Sequence, residues 1–298
     1  MTRHEVRGET ALNDVEWRAR ADAHRRRAVV WTEPRRRRRS RRESHPVYDF
    51  LFQYYSFSLA KLETWHPGHG LVLQDSEEAA TRFSPPLYRR IQGRIELDPA
   101  AATDHLIGRQ HGVLELLRTT ERSPANLGCY GVHEWAMVYG GHDIRHEGVA
   151  PLRLDQAEVD AFVRERSVVC THFDAFRFFA PEAKSFNRVE LTWERRHEVE
   201  QPGCIHANMD LYRWAYESMP WVGSELLMDT FELAIALRVL DMEASPYDLK
   251  DFGFEPVCIE TEAGRAVYRE RQRVLGEQAA VLRSRLIEAI ESLPWIES

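Results

Sequence analysis

Apolar residues at helical spacing in two long C-terminal segments constrain the fold more than any other feature of this sequence. In segment 224–242, the apolar positions recur every four residues: Leu227, Phe231, Ile235 and Val239. Segment 263–293 has a second apolar stripe with Arg and Glu between its members: Val267, Val274, Val281, Leu282, Leu286, Ile290 and Leu293. These patterns predict two long helices, the second with a kink or interruption near Gly276.

Shorter signals indicate further helices and very little sheet. A helix is predicted over 103–119, and Asp155 with Glu158 forms a capping box that predicts a helix ending near Arg166. Strand-like patterns are confined to 168–170 and 188–193. The sequence therefore predicts a mainly α fold, a multi-helix globular domain with at most a few short strands.

The charge is unevenly distributed along the 298 residues. Residues 1–45 hold 14 arginines, no lysine and 7 acidic residues, so they carry +7, whereas the whole chain carries −7 and the remainder −14. This predicts an arginine-rich N-terminal arm over 1–44, partly helical or disordered, followed by one helical catalytic domain over 45–298. Such an arm is either a solvated leader or a contact for the phosphates of nucleic acid.

Several classes of protein are disfavoured by what the sequence lacks. No apolar run approaches the ~20 residues that cross a bilayer, and the first thirty residues contain no signal-type segment, so no membrane partner is expected. The four cysteines are far apart, which predicts reduced thiols and a cytoplasmic location. The P-loop, dinucleotide-binding and nucleophile-elbow motifs are absent. The oligomeric state is not indicated.

Histidines and carboxylates cluster with aromatic residues in four segments, 131–146, 171–179, 203–217 and 240–249. In the third segment, Pro202-Gly203 precedes a helical pattern that places His206, Asp210, Arg213 and Glu217 on one face. Such groups are costly to bury without partners. They indicate either a satisfied structural network or a pocket in which carboxylates, imidazoles and aromatic walls meet a ligand. Asp174 and Arg177, among phenylalanines, are likewise either a buried ion pair or part of such a pocket.

The same residues include ligands that suit a divalent metal such as iron, manganese or zinc. The histidines available are His133, His142, His146, His172 and His206, and the carboxylates are Glu134, Asp174, Asp210 and Glu232. No His-Glu-x-x-His motif is present, because position 137 is Met, and no paired Glu-x-x-His motif is found. No metal is therefore assigned. If one binds, the ligands expected are His133, His172, His206, Asp210 and Glu232.

Five segments together resemble an actinobacterial family that carries the name 3-methyladenine DNA glycosylase. They are HPVYDFLF (45–52), HEWAMVY (133–139), HFDAFRFF (172–179), HANMDLY (206–212) and SPYDL (245–249). The resemblance covers about residues 45–293. It implies a hydrolase that cleaves the N-glycosidic bond of a modified purine, either in damaged DNA or in a small nucleobase-like substrate.

Cleavage of this bond passes through a cationic sugar, which needs a carboxylate, and a modified base is well held between aromatic faces. Asp210 is the first choice for that carboxylate, followed by Asp174 and Glu134. His206, His133 and His172 are expected to orient water or protonate the leaving base. The expected substrate-binding residues are Trp135, Tyr139, Phe176, Arg177, Asn208, Tyr212 and Trp214.

Two other functions remain open from the sequence. One is a metal-dependent helical oxidase or hydrolase that uses the same His and carboxylate residues on a small molecule. The other is a ligand-sensing module without catalysis, whose arginine-rich arm binds nucleic acid.

Overall fold

The computed structural model describes residues 11–141 and 150–296, so His142, Asp143 and His146 lie outside the described residues. The prediction of a mainly α fold is confirmed. The helices are α1 Asp14–Ser40, α2 Phe50–Tyr54, α3 Leu59–Glu63, α4 Glu77–Arg82, α5 Asp104–Arg122, α6 Val132–Met137, α7 Gln156–Glu165, α8 Phe173–Phe176, α9 Arg196–Val199, α10 Ile205–Glu217, α11 Ser224–Glu243 and α12 Glu262–Glu291. The strands are β1 Leu73–Gln74, β2 Tyr88–Ile91 and β3 Arg94–Leu97.

Helix α11 is the central element, and it packs against α1, α10 and α12. It is apolar around most of its circumference and therefore buried on nearly all sides. One apolar core joins α1, the small sheet, α5 and most of α10 to α11 and the C-terminal half of α12. A second core joins α6, α7 and α8 to the end of α11. The end of α11 thus lies where the two cores meet.

The signals for shorter helices are confirmed. Thr103 caps α5 by accepting a hydrogen bond from the backbone N–H of Leu106. Asp155 and Glu158 form the predicted capping box at the start of α7.

The apolar stripe predicted for α12 is partly wrong, and the kink or interruption predicted near Gly276 is wrong. Val267, Val274 and Val281 are 50%, 40% and 62% exposed, and α12 is one helix that passes through Gly276. The three valines are seven residues apart, a spacing that puts them on one face but does not say which face is buried. The other predicted positions, Leu282, Leu286, Ile290 and Leu293, are buried, and further buried positions on α12 include Tyr268, Gln272 and Ala279.

The arginine-rich segment is not a separate arm, because residues 14–40 form α1 on the surface of the domain. The face of α1 with His24, Ala28 and Thr32 is buried. Several arginines bind carboxylates of the body: Arg27 binds Glu232 and Asp229, Arg35 and Arg38 bind Asp49, and Arg36 binds Glu63. The positive charge is therefore partly neutralised within the domain.

The sheet forms where the sequence did not predict it. Segments 168–170 and 188–193 are not strands, and the first makes only an isolated bridge, between Val168 and Asn187. The three strands are antiparallel in the order β1-β3-β2. The β2–β3 turn is Gln92-Gly93, and both residues have positive φ, at 50° and 73°, as a two-residue hairpin turn requires.

None of the helices in 11–141 and 150–296 is both long enough and apolar enough to cross a membrane.

Candidate functional site

Helix α10 begins after Pro202-Gly203, as predicted, and it supplies His206 and Asp210 one turn apart. Both are buried, at 9% and 3% exposure. No donor or acceptor among the described residues forms a hydrogen bond with the His206 ring. The Asp210 carboxylate, in contrast, accepts a hydrogen bond from the Tyr55 hydroxyl at 2.6 Å and lies 3.3 Å from His172 Nε2.

Helices α6 and α11 meet at a second polar group. His133 Nε2 lies 2.6 Å from Asp241 Oδ1. Arg238, one turn before Asp241 on α11, donates to Asp241 Oδ2 and to Glu134 Oε1, both at 2.6 Å. All four side chains are buried in this junction, so each charge has an opposite charge at contact distance, as burial demands.

Burial and these contacts set opposite protonation states for the two adjacent imidazoles. Burial lowers the pKa of His133, but Asp241 outweighs burial and holds that pKa well above its usual range. Burial and the neighbouring His133 hold the pKa of His206 well below its usual range. Burial also raises the pKa of Glu134, despite the contact with Arg238. His133 is therefore a charged donor to Asp241, while His206 is neutral.

The group around Asp210 behaves differently. Burial disfavours its charge, yet the hydrogen bond from His172 outweighs burial and lowers the pKa of Asp210. For His172, contact with Asp210 outweighs burial and raises the pKa. Glu200 lies 3.9 Å from His172, and burial raises the pKa of Glu200 to about 7. His172 also caps α8, because its Nδ1 accepts the N–H of Ala175.

His206 lies between the His133–Asp241 pair and the His172–Asp210 pair. Its ring centroid is 4.5 Å from that of His133 and 5.4 Å from that of His172. Three histidines from separate sequence clusters therefore converge, as the sequence analysis expected of a site.

A cavity of about 350 Å³ opens beside this polar centre. Its wall combines aromatic rings with two carboxylates, one guanidinium and one imidazole. The lining residues are Ser44, Phe50, Gln53, Tyr54, Glu134, Met137, Asp174, Ala175, Phe178, His206, Arg238 and Tyr247.

Three of the six proposed catalytic residues, Glu134, Asp174 and His206, line the cavity. Asp174 is half-buried, and its oxygens lie 3.3 Å from Arg177 Nε and 3.4 Å from Arg213 Nη1. The others, His133, His172 and Asp210, lie outside the lining.

The seven residues expected to bind substrate do not line the cavity. Trp135 is fully buried and donates its indole N–H to the Ala244 carbonyl. Asn208 donates to the Pro202 carbonyl and accepts from Arg283. The others contact neighbouring side chains: Tyr139 packs on Phe186, Phe176 on Phe179, Tyr212 on Phe231, and Trp214 under Arg213. Arg177 lies over the ring of Phe178, which is itself a lining residue.

The expected metal ligands are only partly brought together. His133, His206 and Asp241 have ligand atoms that all lie within 4.8 Å of one another. Glu232 is not part of this group, since it binds Arg27 at the junction of α1 and α11. His172 and Asp210 form their own pair beside it.

The residues that the sequence analysis missed are Arg238, Asp241, Tyr55 and Glu200, together with the rings of Phe50, Tyr54 and Phe178. One signal was available: Arg238 and Asp241 are the only charged residues in the otherwise apolar stretch 233–242 of α11. Charges in such a helix must have partners on a neighbouring element.

Fold and site together define a mainly helical protein whose buried histidine–carboxylate centre opens onto an aromatic-lined cavity. Comparison of this chain with models of protein families, with curated proteins and with solved structures finds no match.

Proposed function

We propose that this protein is a hydrolase that cleaves the N-glycosidic bond of a modified purine base or nucleoside. The observation that carries the proposal is the cavity, in which aromatic rings and the carboxylates of Glu134 and Asp174 line the same small space. Flat faces for a base and a carboxylate for a cationic sugar are the two elements that this reaction requires.

The rings suit a planar ligand. Phe50 and Tyr54 stack on each other, with centroids 5.3 Å apart and an interplanar angle of 12°, and Phe178 lines the same cavity. A planar ligand is therefore proposed to lie against this aromatic wall and not between the two stacked rings. A volume of about 350 Å³ is at the small end of ligand pockets. It therefore favours a nucleobase or a nucleoside over a large substrate.

The two carboxylates have different surroundings, which supports different roles. Arg238 orients Glu134 from the inner end of the cavity, so Glu134 is proposed to accept N–H groups of the base. Asp174 belongs to the half-buried part of the wall, and we assign to it stabilisation of the positive charge that develops on the sugar. His206 is proposed to orient the attacking water. Asp210, His133 and His172 act as positioning residues in this scheme.

The exposed face of α1 supports a contact with DNA phosphates. Arg20, Arg25 and Arg26 are exposed and form no ion pair within the part of the chain that the structure describes. Such guanidinium groups bind phosphates without reading sequence. We propose that they hold damaged DNA while an extruded base enters the cavity.

The four free cysteines support a cytoplasmic location.

The test is release of methylated purines, measured by chromatography, from DNA treated with a methylating agent and from methylated purine nucleosides. We expect release by the wild type and a loss of about 100-fold or more in kcat for Asp174→Asn, because stabilisation of transition-state charge contributes on this scale. Asp251→Asn, an exposed site outside the lining, should retain full activity. Full activity of Asp174→Asn would refute its role. Failure of the wild type on both substrates would refute the function.

A further inference from the structure

We propose that His133, His206 and Asp241 form a binding site for one divalent first-row transition metal ion at the inner end of the cavity. Two imidazoles and one carboxylate are the ligands of open metal sites, in which the remaining positions hold water or substrate. This site is independent of the proposed hydrolysis, since it concerns binding of an ion rather than turnover.

The distances among the three ligands suit one ion. Their ligand atoms all lie within 4.8 Å of one another. With bonds of about 2.1 Å, ligand atoms around a tetrahedral ion lie about 3.4 Å apart. His133 Nε2 and Asp241 Oδ1, now 2.6 Å apart, need to separate by less than about 1 Å, a small side-chain adjustment. The ion takes the place of the proton that these two atoms share.

His206 is the observation that points to a ligand. His206 is only 9% exposed as a residue and lines the cavity, and its ring makes no hydrogen bond within residues 11–141 and 150–296. A mostly buried imidazole without a protein partner keeps a ring nitrogen available for a ligand that enters the cavity. A metal ion bound to its free nitrogen supplies the missing partner.

The surrounding side chains orient the ligands as outer-shell partners commonly do at metal sites. Arg238 donates to Asp241 Oδ2 and leaves Oδ1 for the ion. Cys129 Sγ lies 3.4 Å from His133 Nδ1, the nitrogen that faces away from Asp241. When the ion displaces the proton of His133, the carboxylates of Glu134 and Asp241 face the single guanidinium of Arg238, which leaves one negative charge to hold the cation.

The open positions of the ion would face the cavity, because His206 and Arg238 both line it. The site is therefore reached from the cavity and not from the sealed interior of the helices. An ion there would lie between the buried ligands and any molecule held by the rings.

The experiment uses the full-length chain without a polyhistidine tag, freed of metal by a chelator. Co²⁺ is added and followed by its visible absorption, which reports coordination number and nitrogen ligation, and Zn²⁺ is titrated by calorimetry. We expect one ion per chain with the bands of a four- or five-coordinate site. His206→Ala should weaken Zn²⁺ binding about 100-fold or more, because it removes one of three protein ligands.

The matched control is His111→Ala, which removes an exposed histidine of α5 and should leave the affinity unchanged. Circular dichroism checks the fold, and His206→Gln replaces the alanine variant if the latter is unfolded. Absence of the Co²⁺ bands in the wild type overturns the proposal whatever the variants do. Wild-type affinity in a folded His206 variant also overturns it. Neither result depends on whether the protein hydrolyses a purine substrate.

Discussion

His133 on α6 and Asp241 on α11 are joined across 2.6 Å although 108 positions separate them in the sequence. The pair lies near the meeting of the two apolar cores: Val132, Leu240 and Met242 beside the pair belong to one core, and Leu237, one turn before Asp241, belongs to the other. A charged pair at this position ties α6 to α11. Asp241 also accepts a hydrogen bond from Arg238, which lines the cavity. The contact that joins the two helices therefore also fixes part of the cavity wall.

Arg238→Met tests how much the Arg238 guanidinium, which binds both Glu134 and Asp241, contributes to the stability of the fold. The substitution leaves Glu134 buried without a cation and Asp241 paired with His133 alone. Removing one partner of a buried ion pair costs about 3–5 kcal/mol. Urea unfolding at pH 7 should show a loss of that size in the free energy of unfolding. Arg118→Met removes the exposed pair with Glu291 and should cost only ~0–1 kcal/mol. Equal losses for the two variants would contradict this account.

Asp49 is expected to make the free energy of unfolding depend on pH in the acid range. Its carboxylate is fully buried and accepts hydrogen bonds from Arg35, Arg38 and the backbone N–H of His45. Burial opposes its charge, but these donors outweigh burial and lower the pKa of Asp49 below the ordinary 3.8. A lowered folded-state pKa means that the stabilisation is complete above the unfolded-state value and is lost as pH falls through the folded-state value.

The free energy of unfolding should therefore fall more steeply in the wild type than in Asp49→Asn as the pH is lowered from about 5 to 2. The difference between the two proteins should be largest near pH 7 and should shrink below pH 3.8. Urea titrations at stepwise pH measure it. A difference that does not change with pH would show that Asp49 acts through packing alone.

Two glycines should respond in opposite directions to alanine. Gly93 in the β2–β3 turn has φ +73° and open space around it, so Gly93→Ala meets no clash but is strained in its backbone, at a cost of about 1–2 kcal/mol. Gly112 lies inside α5, also in open space, and Gly112→Ala should stabilise by about 0.5–1 kcal/mol. Thermal unfolding checks both signs. A stabilised Gly93→Ala would mean that the turn relaxes out of its left-handed form.

Much of the fold follows from local patterns in the sequence. The capping box at Asp155, the helix that begins near Thr103 and the four-residue recurrence on α11 each depend on one to a few turns of chain, so the sequence alone predicts them. Which face of α12 is buried depends on the helices that pack against it, α5, α10 and α11. The local pattern therefore wrongly assigned three exposed valines to the buried face. The β2–β3 hairpin was missed because its strands are short and partly exposed.

The site could be predicted only in part for the same reason. The sequence clusters contain the histidines that converge, but side chains that are close in sequence do not all point to the same side of a helix. On α10, Tyr212 is two residues after Asp210 and so points about 200° away around the helix. Tyr212 and Trp214 pack into the core, and the cavity is lined by Phe50 and Tyr54 of α2 together with Phe178.

The exposed arginines of α1 should determine the salt dependence of DNA binding. Because His24, Ala28 and Thr32 of α1 are buried, neutralising its surface is a cleaner test than deleting the segment. A variant with Arg20, Arg25 and Arg26 all changed to Gln should bind duplex DNA more weakly. The slope of log affinity against log salt should fall by up to about 2.7, since each phosphate contact contributes about 0.9.

The control for this variant removes the same charge elsewhere. Arg269, Arg273 and Arg285 on α12 are each engaged by another side chain. Changing these three to Gln alters the net charge equally but should leave the slope near that of the wild type. The same loss of slope in both variants would mean that overall charge, and not the α1 surface, governs binding.

Binding of a free base should depend on Phe178. This ring lines the cavity, and stacking on an aromatic side chain contributes about 1–3 kcal/mol per base. Phe178→Leu, which keeps an apolar side chain but no flat face, should therefore raise the Kd for 3-methyladenine by about tenfold, measured by calorimetry. Phe186→Leu is the matched control, since Phe186 is also half-buried but packs on Tyr139 outside the lining. If both variants bind 3-methyladenine as the wild type does, the base does not stack on this wall and the cavity holds a ligand of another shape.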